Sequence, residues 1–112
     1  MLSVDKMKEL GCNTEEGLGR CLNNEMFYLN LVQMGLKDEG FEKLEEVLKT
    51  NDLEKGFEIA HGLKGVIGNL AITPIYDAVC EITEELRAKK QIDYAPLLAK
   101  IKEAREKFTS LL

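Results

Sequence analysis

Histidine, cysteine and long apolar runs are all scarce in this chain. One histidine occurs in 112 residues, so a metal site of paired imidazoles is out of reach, and no thiolate cluster stands ready to complete one. The three cysteines, Cys12, Cys21 and Cys80, are odd in number and lack CxxC spacing. That excludes a disulfide framework, a zinc ribbon and haem attachment, and leaves them as small, mostly buried thiols. No run of 18 apolar residues exists, and Met1-Leu2-Ser3-Val4-Asp5-Lys6 contains no apolar signal core. Neither membrane insertion nor export is expected, which leaves the cytoplasm. Basic charge is short as well: 15 Lys and Arg against 20 Asp and Glu give a formal net charge of −5. A phosphate-backbone partner wants a concentrated basic face, and Lys89-Lys90 is too brief to be one, so no nucleic acid is expected. A glycine-rich nucleotide loop and a magnesium-binding carboxylate set are missing too, which argues against a kinase acting on itself.

With 45% hydrophobic and 31% charged residues, the chain has the composition of one soluble globular domain spanning 1–112. Apolar residues recur at helical spacing nearly throughout, and no stretch alternates with the period of two that marks a strand. The expected fold is therefore all-α. Val4 to Leu10 reads as a short helix ended by Gly11, and Asn13 with Glu16 resembles a capping box for a second short turn. Asn23 or Asn24 then caps a long helix, about 24–49, in which Phe27, Leu31, Met34, Phe41, Leu44 and Leu48 share a stripe and Gly35 and Gly40 mark a bend. Asn51, with Glu54, starts a helix over about 52–70, and Thr73-Pro74 starts another over about 74–89, which Lys89 and Lys90 end on its favourable positive side. Asp93 caps the last, about 94–111, with Leu97, Ile101, Ala104, Phe108 and Leu111 on one face. Short loops between amphipathic helices imply an antiparallel four-helix up-down-up-down bundle, with the first two short helices as a lid over one end. A monomer is expected.

The chemistry concentrates in Ala60-His61-Gly62-Leu63-Lys64-Gly65-Val66-Ile67-Gly68-Asn69-Leu70. At about 100° per residue, His61 lies opposite Leu63 and Leu70, so the ring faces water while the leucines face a core. Histidine has an ordinary pKa near 6.5, and an exposed imidazole at neutral pH keeps a free lone pair that can accept a transferred group. Lys64 points to the same side and can bring a positive charge to that group. Three glycines in one helix cost on the order of 1 kcal/mol each relative to alanine, which calls for a reason. Gly65 and Gly68 fall near the His61 face and leave it bare for a partner's approach, whereas Gly62 points away. Phe57, only about 40° from His61 on the helical wheel, is either an apolar docking residue or the edge of the core. No carboxylate dyad and no Ser or Cys nucleophile accompanies the ring, whereas a phosphoryl group, with negative charge spread over three oxygens, suits a nucleophile beside an ammonium.

His61-Gly62-Leu63-Lys64-Gly65, followed by Gly68-Asn69-Leu70, resembles the signature of histidine-containing phosphotransfer (HPt) domains, and the similarity runs from about residue 13 to the C-terminus. The resemblance implies a four-helix bundle with a phosphoaccepting histidine on its second helix. His61 would be the acceptor, Lys64 the neighbouring cation, and Gly65 and Gly68 the residues that open the surface. It implies a phosphorelay intermediate in two-component signal transduction, a phosphoprotein with no turnover of its own. Its partners would be response-regulator receiver domains and a hybrid sensor histidine kinase, and the Mg²⁺ ion would sit in the receiver, so this chain needs no cofactor. The start at Met1 favours a free-standing carrier. Ala71 stands where the family often has glycine, an exchange of small residues expected to matter little. Where many members place a glutamine that orients the imidazole, spacing puts Thr83, whose shorter reach earns it no assigned role. The alternative is an interaction module that docks signalling partners without carrying phosphate.

Overall fold

The computed structural model describes residues 1–112, and every regular element is helical: α1 (Val4–Glu9), α2 (Thr14–Arg20), α3 (Glu25–Leu36), α4 (Gly40–Lys49), α5 (Leu53–Asn69), α6 (Thr73–Arg87) and α7 (Ala95–Thr109). The central helix α5 packs against both α4 and α6, α6 packs against α7, and α3 touches α7. One cluster of buried side chains runs through the molecule, with Tyr28, Leu44, Leu63, Ile67, Ile75, Ile82 and Phe108 at its centre.

The starts of the helices are written in capping chemistry. Ser3, Asn13, Asn24 and Asp52 each accept a hydrogen bond from the backbone N–H three residues on, filling an orphan donor of the first turn. The cap of α5 is thus Asp52, bonded to the Lys55 N–H at 3.1 Å, and not Asn51. Asn51 instead ends α4 in the left-handed region, at φ +59°. At α6 the cap position falls on Ile72, and Thr73 is already in the first turn. Asp93 caps α7 from one residue farther out than the cap position, through the Ala95 N–H at 3.0 Å.

Where spacing predicts one bent helix over 24–49, the structure has two, parted at Lys37-Asp38-Glu39. Asp38 turns the chain by accepting the Gly40 N–H at 2.7 Å, and Arg105 of α7 fixes the break from outside. Its guanidinium donates to the Leu36 carbonyl at 2.8 Å and lies 4.4 Å from the Phe41 ring centroid. The expected stripe is also rotated in α3. Phe27 is 51% and Met34 69% exposed, while Tyr28, Val32 and Leu36 are fully buried. Apolar residues lie on both faces of α3, so spacing alone offers two stripes, and the tertiary structure selects the one that lets the Tyr28 hydroxyl bond the Leu70 carbonyl at 2.7 Å.

The C-terminus of α5 ends in a Schellman motif, with the Ile72 N–H on the Ile67 carbonyl and the Ala71 N–H on the Gly68 carbonyl. Ala71 sits at φ +57°. Its departure from glycine therefore concerns backbone conformation and not size, and it carries strain that a glycine would not. The segments before α3 close over this end. Asn13 donates its N–H to the Ala71 carbonyl and to Thr73 Oγ1, both at 3.2 Å, and Arg20 bonds the Gly68 and Asn69 carbonyls at 2.9 and 3.0 Å.

Candidate functional site

Along α5, Leu53, Gly56, Ala60, Leu63 and Ile67 are buried and His61, Gly62, Gly65 and Asn69 are exposed, with Lys64 and Gly68 half-buried between them. A seventeen-residue helix thus turns one face to the core and the other, with the imidazole on it, to water. In front of that face lies a groove of about 700 Å³ lined by His61, Lys64, Gly65 and Gly68 of α5, by Asn13, Glu16 and Arg20 from the α2 side, and by Thr73, Tyr76 and Asp77 of α6. Four of the five residues singled out from sequence meet in this one depression. Lys64 takes part in none of the ion pairs of the chain, so its ammonium is at liberty to meet an incoming anion.

The glycines of the face have different reasons. A Cβ at Gly62 or Gly65 would meet nothing within 4 Å, so these positions are open surface. A Cβ at Gly68 would lie 2.8 Å from the Tyr76 ring. Gly68 is needed by the neighbouring helix, as the seat of an aromatic ring that forms a groove wall.

Phe57 lies outside the groove, half-buried against the core. Its ring centroid is 5.6 Å from that of His61, tilted by 41°, and the Arg87 guanidinium lies over it at 4.9 Å. The ring of His61 makes no hydrogen bond within the chain. Thr83 is no substitute for an orienting amide, because it is fully buried and its hydroxyl donates to the Val79 carbonyl at 2.6 Å. Cys12 also borders the groove, but burial pushes its thiol up to about 11, so it stays protonated and unreactive near neutrality.

Arg20 is the groove residue that spacing could not find. It pairs with Glu16 one turn earlier while holding the last carbonyls of α5, across 48 residues of sequence. Together with Tyr28 and Asn13 it satisfies the carbonyls from Gly68 to Ala71, anchoring the end of the helix that carries His61.

An all-helical domain that displays an unbonded imidazole beside an unpaired lysine has the features of a group carrier. The family model of the Hpt domain matches residues 37–110, about two thirds of the chain, and the chain belongs to the Hpt domain family. The match covers α4 to α7 and begins later than the expected residue 13, leaving α1 to α3 outside it. No curated protein and no solved structure matches the chain. Hpt domains are phosphocarrier modules that work with receiver domains and kinases in two-component phosphorelays. No helix of this chain is long and apolar enough to cross a membrane.

Proposed function

We propose that His61 accepts a phosphoryl group from the aspartyl phosphate of one receiver domain and passes it to the aspartate of another. The observation that carries this is the placing of an exposed imidazole, an unpaired Lys64 ammonium and the open Gly65 surface along one groove. In the accepting step the lone pair of the neutral ring attacks phosphorus as the P–O bond to the aspartate breaks. An N–P bond forms, the aspartate leaves as carboxylate, and the other ring nitrogen keeps its proton until water removes it. Lys64 lowers the barrier by lying beside the charge on the phosphoryl oxygens. The open surface at Gly65 admits the receiver, which brings its own Mg²⁺, so the chain supplies nucleophile and cation and needs no cofactor. We read α3–α4, α5, α6 and α7 as the up-down-up-down bundle and α1 and α2 as its lid, working as a cytoplasmic monomer.

The test is transfer from phosphorylated receiver domains of the same organism. The wild-type chain is expected to gain phosphate that is acid-labile and base-stable, and His61→Gln to gain none while keeping its helical spectrum. A normally labelled His61→Gln protein overturns the assignment. Binding of receivers without labelling makes the chain an interaction module instead.

A further inference from the structure

We propose that Phe57 is a positioning residue for the His61 imidazole, holding the ring from behind while Arg87 clamps Phe57 from the neighbouring helix. This rests on His61 being the phosphoacceptor. A nucleophilic ring must present its free nitrogen along the line of attack, and an exposed side chain with no hydrogen bond would otherwise divide its time among rotamers. Thr83, on the facing helix, is committed to the Val79 carbonyl in the core and cannot orient the ring. What touches the ring is aromatic. The centroid separation of 5.6 Å and tilt of 41° fall within the range of about 4.5–7 Å at which offset aromatic pairs attract.

Phe57 can act as a stop because it is held on two sides. One edge packs against the core, and Arg87 of α6 lies over its ring at 4.9 Å, inside the reach of about 6 Å for cation–π attraction. Arg87 is itself steadied by Glu84, whose carboxylate accepts from the guanidinium at 3.2 Å. Neither Phe57 nor Arg87 lines the groove. The stack therefore stands behind the imidazole and leaves the groove side of the ring free for the phosphoryl group. This differs from a docking role, in which Phe57 would touch the partner and not the ring.

The experiment uses the full chain, the variants Phe57→Leu, Phe57→Tyr and Arg87→Gln, and phosphoramidate, a small donor that needs no docking surface. Three-bond scalar couplings of the His61 side chain report its rotamer independently of any phosphate. The wild type and Phe57→Tyr are expected to show one dominant rotamer, and Phe57→Leu averaged couplings. Phosphoramidate labelling of Phe57→Leu should slow by about 2- to 10-fold, the size of one aromatic contact, with Phe57→Tyr close to the wild type. Arg87→Gln, which leaves the core packing of Phe57 in place, should fall between them. A single rotamer and unchanged labelling in Phe57→Leu overturn the proposal, as does slowing that appears with receivers but not with phosphoramidate. Wild-type protein that holds one His61 rotamer yet takes no phosphate from receivers defeats the phosphocarrier function and leaves the Phe57 contact standing.

Discussion

Two grooves of nearly equal volume, about 710 and 700 Å³, indent this small molecule. The first lies between α4 and α7 over Phe41, Leu44, Leu48, Tyr94, Leu98 and Ile101; no histidine or cysteine lines it, and its Arg105 is committed to the Leu36 carbonyl and Glu42. The second, along α5, is mostly polar and keeps an imidazole without hydrogen bonds and a lysine without a carboxylate. Size does not separate them. What separates them is the nucleophile: the first groove also holds unpaired lysines, Lys49 and Lys102, but only the α5 groove sets an imidazole free of hydrogen bonds in the same depression as its lysine.

The sharpest way to break this contrast is to exchange one residue in each groove. His61→Gln is expected to abolish labelling by phosphorylated receivers, whereas Ala99→Lys, an exposed change in the α4–α7 groove, should leave the rate unchanged. Equal losses would erase the distinction. Next in size is Lys64→Ala, which should slow transfer by about tenfold, less than the 10²–10³ typical of a buried donor, because Lys64 is half exposed and partly screened by water. Stopped-flow transfer at two salt concentrations would check it, with the wild-type rate falling toward the variant's as salt rises.

A finer test sets Gly65 against Gly68. Gly65→Ala meets open space and should stabilise α5 by about 1 kcal/mol through helix propensity. Gly68→Ala must push Tyr76 aside and should forfeit that gain, so thermal unfolding of the two variants should diverge. Equal stabilisation would mean that Tyr76 does not need its seat. The smallest effect is expected at Ala71→Gly, where release of the left-handed strain should add about 0.5–1 kcal/mol, offset in part by the freer unfolded chain. Urea unfolding at constant m-value would measure it.

Much of the fold was legible because caps and periodicity act locally. Asn13, Asn24 and Pro74 mark starts, and the placing of His61 opposite Leu63 needs only the helical turn. The backbone conformation of the helix ends is harder to read than their position. α4, α5 and α6 all close with a left-handed residue, Asn51, Ala71 and Lys89, at φ +59°, +57° and +54°; alanine is not a type that announces this conformation, and Lys89 is legible as an end only through its charge. Asn51 is legible as a break, whereas the start belongs to Asp52, one residue on. In the candidate site, the open character of Gly65 follows from the wheel, whereas the service of Gly68 to Tyr76 depends on how α6 is laid against α5.

By itself the sequence determined that this chain is helical and that a single imidazole stands on the polar side of its central helix, since both follow from backbone geometry within a few turns. The tertiary structure alone decided that α3 buries Tyr28 in place of Phe27, that Arg20 closes the end of α5, and that Phe57 and Arg87 stack behind His61. Those contacts join residues up to 49 positions apart, and which of several plausible faces meet is settled only when all helices compete for the same core.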